Sequence, residues 1–285
     1  MVGYGTYQLS PEDAKRGVLA ALEAGYRHID TAEFYFNEEA VGAAIEETSV
    51  PREDIFLTTK LMPGRAELNI EEKDKEGTIA AFKSSLSKLK TDYVDLYLIH
   101  APMSKKENRI EQWKALIEMK KQKLIKHIGV SNFSVRHLEE LKEAGLEQPE
   151  VNQVELHPID QKPELIAYME KHGIVPIAYS SLAPLATWRS EADQGGDSSL
   201  DLRVKHAPTI NDMAQRYSKS TGQLLLRWAL QRGFAILPKS SKEKRIHENF
   251  DLFDFAIADE DMATLNAMNA NKSFAWGNIN PLGFE

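Results

Sequence analysis

Short apolar strand candidates alternate with longer amphipathic helix candidates from one end of the chain to the other, and no other sequence feature narrows the fold as far. The strand candidates are 5–7, 27–31, 55–60, 93–99, 128–130, 151–155, 174–178 and 235–237. The helices between them carry their own start and stop signals. In the first, Ser10 is a cap, Pro11 suits the opening helical position, Glu12 and Asp13 suit the positive helix end, and Gly25 follows the stripe Ala14, Val18, Leu22. Further stripes run through Val41/Ala44/Ile45, Ile79/Phe82/Leu86/Leu89, Ile110/Trp113/Ile117, Val135/Leu138/Leu141 and Leu165/Ile166/Met169, with Gly145 and Gly173 as stops. Parallel strands need such crossovers, and this number of strands fits a closed barrel better than an open sheet. The expectation is therefore an α/β chain folded over 1–285 as a single (β/α)8 TIM barrel.

The length of 285 residues suits one such barrel, and no stretch reads as a linker between domains. With 42% hydrophobic and 27% charged residues, the chain has the composition of a folded protein. The net charge of −8 argues against a nucleic-acid surface, which would need a clustered basic face. Without cysteine there is no disulfide, no thiolate nucleophile and no Cys-based metal site. The longest apolar runs, such as 94–99, are too short to span a bilayer, and the first residues carry no sorting signal. The chain reads as soluble, with a composition that suits the cytoplasm. One long interruption, 180–208, contains Gln194-Gly195-Gly196-Asp197-Ser198-Ser199 and reads as a mobile surface loop. It follows the seventh strand, on the face where barrel enzymes bind ligands.

Polar residues recur at the carboxyl ends of otherwise apolar strands. Asp30 ends the second, Lys60 the third and His100 the fourth; Asn132 follows the fifth, Gln153 lies in the sixth, Tyr179 follows the seventh and Lys239 the eighth. Strand alternation places Phe56, Thr58 and Lys60 on one face, and Leu96, Leu98 and His100 on one face of the next strand. Converging at one end of a barrel, such groups form either a satisfied ionic plug or a catalytic centre. A tyrosine hydroxyl, with a reference pKa of about 10, is a poor acid at neutral pH unless a nearby ammonium stabilises its phenolate. Lys60 can supply that charge, Asp30 can hold it protonated, and Tyr35 lies in the loop that reaches over the barrel mouth. His100 is suited to hydrogen-bond a carbonyl oxygen beside that hydroxyl. Such a site polarises a carbonyl but holds no hydride, so it calls for a redox cofactor.

These residues resemble the aldo-keto reductase family. Gly25-Tyr26-Arg27-His28-Ile29-Asp30-Thr31-Ala32, with Tyr35 and Asn37-Glu38, is similar to its first signature; Leu57-Thr58-Thr59-Lys60-Leu61 and Leu96-Tyr97-Leu98-Ile99-His100 are similar to the segments around its catalytic lysine and histidine. Ile128-Gly129-Val130-Ser131-Asn132-Phe133, Asn152-Gln153-Val154-Glu155-Leu156-His157-Pro158, and Leu237-Pro238-Lys239-Ser240-Ser241 with Arg245 and Asn249 extend the likeness over nearly the whole chain. The resemblance implies an NADPH-dependent reductase of small carbonyl compounds, with the tetrad Asp30, Tyr35, Lys60 and His100 and with Tyr35 as general acid. It implies that Ser131, Asn132 and Gln153 hold the nicotinamide carboxamide, Tyr179 stacks on the ring, Gly5, Thr6 and Tyr7 lie along the cofactor, and Ser180 and Leu182 touch the pyrophosphate. Lys239, Ser240 and Arg245 would bind the adenosine 2′-phosphate, with Glu248 and Asn249 facing adenine. Two cations and short hydroxyls before a helix make a charge-assisted phosphate site in their own right, and they favour NADPH over NADH. There is no Rossmann fingerprint.

The chain departs from the family pattern in two places. Many members carry an N-terminal β-hairpin that closes the barrel bottom, whereas this sequence begins almost at the first strand, so the bottom is expected to be less covered. Where many have tryptophan near the catalytic lysine and histidine, this chain has Met62 and Ala101; with Phe34 they would line the substrate pocket, and Trp276, in the tail 270–285 near Phe274, is the candidate replacement wall. By resemblance the protein would be a monomer. No metal site is expected: His28 and His157 read as scaffold residues, since no facing carboxylate set completes a site. Trp113 and Trp228 read as core, Lys120-Lys121-Gln122-Lys123 as a helix end, and Ser220-Thr221-Gly222-Gln223 as a capping box. Two other functions compete. A Schiff-base lyase would use Lys60 as nucleophile, although a paired Asp30 favours the charged amine. A non-catalytic NADP-binding regulatory barrel would need no intact tetrad.

Overall fold

The computed structural model describes residues 1–65, 70–185, 196–276 and 280–284, with backbone alone for 196–199. Eight parallel strands follow one another in space as in sequence: β1 (Gly3–Gly5), β2 (His28–Asp30), β3 (Phe56–Leu61), β4 (Val94–Ile99), β5 (Ile125–Ser131), β6 (Val151–Glu155), β7 (Val175–Tyr179) and β8 (Ala235–Ile236). A parallel bridge between Val2 and Ile236 closes the seam from β8 to β1, supported by Gly5 N donating to Pro238 O at 3.1 Å. Among the described residues ten α-helices surround this barrel: α1 (Pro11–Glu23), α2 (Glu38–Glu47), α3 (Lys75–Leu89), α4 (Lys106–Lys121), α5 (Val135–Glu143), α6 (Pro163–His172), α7 (Gly196–Arg216), α8 (Thr221–Gln231), α9 (Glu243–Phe250) and α10 (Asp259–Asn266).

Strand alternation divides the core into two layers. Leu96 and Leu98 join Ile177, Ala235 and Leu237 in a small cluster that the strands enclose, whereas their neighbours Tyr97 and Ile99 join the large cluster beneath the helices. Trp113 and Trp228 are fully buried in that outer layer. The caps read from the sequence are present: Ser10 accepts from Asp13 N at 3.1 Å, and Ser220 and Gln223 close a reciprocal capping box at 3.2 and 3.1 Å. Gly145 and Gly173 adopt φ of 70° and 68°, the left-handed region that ends a helix without a Cβ penalty.

Three sequence-based boundaries are corrected. The first strand ends at Gly5 instead of spanning 5–7: Thr6 N makes a last bond to Asp30 O at 3.0 Å, and the chain then turns through Tyr7 and Gln8, where φ is 60°. The fifth strand begins at Ile125, earlier than expected. Its opening residues Lys126 and His127 are exposed and paired to Asp95 and Glu150, so they break the apolar pattern without breaking the strand. The interval 180–208 is not a loop throughout. Helix α7 begins at Gly196 and contains Pro208, because Ile210, Met213 and Ala214 anchor its later turns in the core. Gln194 and Gly195 of that interval, with 277–279 and 285 of the tail, lie outside the described residues.

At the amino end of the barrel an open cavity of about 520 Å³ is lined by Met1, Val2, His28, Phe56, His127 and Phe253 among others. Further round the barrel, α2 crosses α3 at backbone contact. A Cβ at Gly42 would stand 2.5 Å from Lys88 O and 2.7 Å from Leu89 C. Gly42→Ala is therefore expected to destabilise the fold by about 1–3 kcal/mol, outweighing the roughly 1 kcal/mol that alanine contributes in a helix. A melting temperature equal to or above that of the parent would contradict the close crossing.

Candidate active site

Each strand delivers its polar residue to the carboxyl mouth because the last inward position of the strand lies there. Lys60, with no exposed surface, donates from Nζ to Asp30 Oδ1 at 2.5 Å, to Thr31 O at 2.9 Å and to the Tyr35 hydroxyl at 3.3 Å. Tyr35 comes from the short 3-10 turn Glu33–Tyr35 just beyond β2, held down by Glu33 accepting from Met62 N at 2.8 Å. Its ring lies 5.5 Å from that of His100, nearly perpendicular, and 5.0 Å from that of Tyr7. The four residues of the expected tetrad are thus gathered at one point.

The electrostatics modify the expectation for Tyr35. Burial, then Asp30, Tyr7 and Tyr179, push its phenol well above the ordinary value of 10.0. Lys60 Nζ lies nearer to Asp30 Oδ1, at 2.5 Å, than to the Tyr35 hydroxyl, at 3.3 Å, so Asp30 screens part of its charge from the phenol. Lys60 is itself lowered by burial, against the pull of Asp30. His100 is held well below 6.5 by burial and by the Lys60 charge, so its imidazole is neutral. The ligand-free site therefore holds a protonated phenol and a neutral imidazole side by side, a pair that can donate hydrogen bonds to one oxygen.

The residues expected to hold a cofactor form an arc around this centre. Asn132, at a left-handed φ of 62°, donates to His100 O at 2.9 Å and accepts from the Tyr179 hydroxyl at 2.6 Å. Ser131 donates to Gln153 O at 2.8 Å. Gln153 also serves the tetrad: its Nε2 donates one N–H to Asp30 Oδ2 at 2.8 Å. Gly5 ends β1, and Thr6 donates from its hydroxyl to Asp30 O at 3.1 Å. Beyond β7, Ser180 turns the chain at φ 53° and is followed by Ser181, whose buried hydroxyl has no partner among the described residues. Leu182 and Asn249 both approach Gly222, at 3.8 and 4.0 Å from where its Cβ would be, which brings the end of β7 to the end of α9.

After β8, Ser240 is buried and its carbonyl is tied to the Tyr4 hydroxyl at 2.6 Å. Lys239 and Arg245 flank it, both exposed, with Glu248 half-buried on α9; neither cation has a carboxylate within ion-pair distance among the described residues. Lys239 is lowered by desolvation alone. An orphaned hydroxyl beside the β7 turn and two unneutralised cations beside Ser240 fit an elongated, polyanionic dinucleotide better than they fit a closed structural surface.

Of the expected substrate wall, Met62, Ala101 and Trp276 do meet, in one cluster that also takes in Met103, Ile70 and Phe284. Phe34 stands apart, 43% exposed and edge-on to His100 at 6.5 Å. Sequence reasoning missed Glu155, although alternation from Gln153 places it on the same inward face. It is buried and accepts from Phe274 N, Ala275 N and the Ser273 hydroxyl, with His157 Nε2 at 3.1 Å. Burial would raise its pKa, but His157, Lys162 and Ser273 hold it down to about 2. His157 thus belongs to the scaffold, as does His28, which bonds Thr58 at 2.9 Å.

The family model for the Aldo/keto reductase family matches residues 1–270. A methylglyoxal reductase, DkgA, of Yersinia pestis is 39% identical over 95% of this chain and 89% of its own length, and the Bacillus subtilis oxidoreductase YtbE is 42% identical over 94% and 89%. Among solved structures, an aldo/keto reductase from Brucella melitensis superposes with a TM-score of 0.81 at 42% identity, covering 94% of this chain and 92% of that one. A Bombyx mori aldo-keto reductase solved in complex with NADP gives 0.81 at 32%, covering 99% and 94%.

Proposed function

The chain belongs to the aldo/keto reductase family, whose oxidoreductases act between carbonyl and CH–OH groups, and from that premise we propose that it reduces small aldehydes and ketones with NADPH, Tyr35 supplying the proton. The observation that carries this reading is the contact of Lys60 Nζ with both Asp30 and the Tyr35 hydroxyl, beside a neutral His100. When bound, NADPH supplies the hydride. Ser131, Asn132 and Gln153 take its carboxamide, and Tyr179 takes the face of its ring. Gly5, Thr6 and Tyr7 line its path, Ser180 and Leu182 its pyrophosphate, Lys239, Ser240 and Arg245 its 2′-phosphate, and Glu248 and Asn249 its adenine. The protein's own work is positional and acid–base. His100 and Tyr35 orient the carbonyl oxygen, Tyr35 gives up its proton to that oxygen as the alcohol forms, and Lys60 stabilises the phenolate left behind. Met62, Ala101 and Trp276 form the apolar side of the pocket, with Phe34 at its rim.

The direct test is loss of NADPH absorbance with a panel of carbonyl compounds. Methylglyoxal is the first to try, since it names the activity of several relatives. No oxidation of NADPH with any aldehyde would sink the reading and leave a binding protein.

The pH dependence follows from the signs of the shifts. A phenol whose pKa is raised stays protonated through and beyond the ordinary value of 10.0, and an imidazole whose pKa is lowered stays neutral above 6.5. The rate of reduction is therefore expected to be level from about pH 6.5 to about pH 9, with the fall confined to stronger alkali. A kcat inflection near the ordinary histidine value would show that His100 titrates.

One observation favours a lyase, the lowering of the Lys60 pKa by burial. Against it, Asp30, Thr31 O and Tyr35 surround Nζ and leave no free lone pair. Borohydride with a carbonyl compound is expected to leave Lys60 unlabelled.

A further inference from the structure

We propose that Trp276 is a positioning residue for the cofactor as well as a substrate wall: with the tail seated on Glu155, its indole N–H fixes the Tyr179 hydroxyl and, through it, Asn132. The proposal rests on the reading above that Tyr179 and Asn132 face the nicotinamide. It starts from a buried carboxylate that this reading leaves without a task.

Glu155 is the last residue of β6 and pairs in register with Tyr179, the last of β7. Its exposure is 1%, so its charge needs donors from the protein. The tail provides most of them. Oε1 accepts from Phe274 N at 2.8 Å and Ala275 N at 3.1 Å, while Oε2 accepts from Ala275 N at 3.0 Å and from the Ser273 hydroxyl. The Phe274 side chain is trapped between the His157 ring, stacked at 4.9 Å, and the Arg203 guanidinium at 4.4 Å. A carboxylate in this position is satisfied only while the tail is seated, so the seat is specific and not merely greasy.

The next residue is Trp276, and its position follows from that clamp. Its Nε1 donates to the Tyr179 hydroxyl at 2.8 Å, and that hydroxyl donates onward to Asn132 Oδ1 at 2.6 Å. Accepting one bond and giving one, the hydroxyl has a single orientation. Asn132 in turn has its amide direction set, with Nδ2 toward His100 O and Ser131 Oγ. Trp276 also packs against the cluster of Met62, Ala101 and Met103. One side chain therefore touches the wall of the carbonyl pocket and the hydroxyl of the residue under the nicotinamide. A loosened tail would relax both at once.

The test is calorimetric titration of Trp276→Phe with NADPH and NADH, joined to the fluorescence lifetime of the bound reduced nicotinamide. Phenylalanine keeps an aromatic wall but removes the donor. The expected result is a roughly 5- to 10-fold weaker Kd for both cofactors, the size of one lost hydrogen bond, with their ratio unchanged and the lifetime shortened. Trp276→His, which restores a ring N–H, should recover part of the lifetime. Glu155→Gln, checked for folding by circular dichroism, should reproduce the pattern by unseating the tail. Parental Kd values and lifetime in Trp276→Phe would overturn the clamp alone. Parent protein that binds neither cofactor would overturn the reading of the site, and the clamp with it.

Discussion

Tyr35→Phe is expected to lower kcat for carbonyl reduction by about 10²- to 10⁴-fold, the range a positioned general acid supplies, while NADPH binding changes by less than about threefold. The substitution removes one oxygen and little else. The ring keeps its place against Tyr7 and His100, and Lys60 keeps Asp30 at 2.5 Å and Thr31 O at 2.9 Å, so no buried charge is orphaned. Replacing Lys60 itself is a poorer experiment. Asp30 would be left buried with Gln153 as its remaining side-chain donor, and breaking a buried pair from one side costs about 3–5 kcal/mol of stability, which confounds any loss of rate. Undiminished turnover in the Tyr35→Phe protein would remove the proposed acid, whatever the cofactor does.

Arg245→Ala carries the second large effect: NADPH affinity should fall by about tenfold and NADH affinity by no more than about twofold. A charge-assisted hydrogen bond to phosphate contributes about 1.5–3 kcal/mol, and the exposed position of Arg245 argues for the lower end because water and salt screen it. Among the described residues Arg245 has no carboxylate to release, so the mutation removes an available cation and not a structural pair. The loss should shrink as salt is raised. Equal losses for the two cofactors would detach Arg245 from the 2′-phosphate.

Local signals in the chain were strong where residues near in sequence decide the outcome. Ser10-Pro11, Gly145, Gly173 and the Ser220/Gln223 box mark helix ends through groups three or four residues apart, and each lies at the end of a helix in the fold. Legibility failed where polar residues interrupt an element for reasons outside it. Lys126 and His127 conceal the start of β5 because their partners Asp95 and Glu150 lie on other strands or loops, and the small polar residues after Gly195 conceal the start of α7, whose anchors come more than ten residues later.

By itself the chain determined the alternation of strands and helices, and with it the barrel and the end of the barrel at which Asp30, Lys60, His100, Asn132, Gln153 and Tyr179 emerge, because strand period and helix caps are local properties. Tertiary structure alone decided what those groups do to one another: that burial and then Asp30 raise the pKa of the Tyr35 phenol, that Gln153 is shared with Asp30, and that Glu155 receives the tail and places Trp276 on Tyr179. Proton affinity and hydrogen-bond direction depend on distances of a few ångströms between residues up to 123 positions apart, and those distances exist only once the barrel has closed.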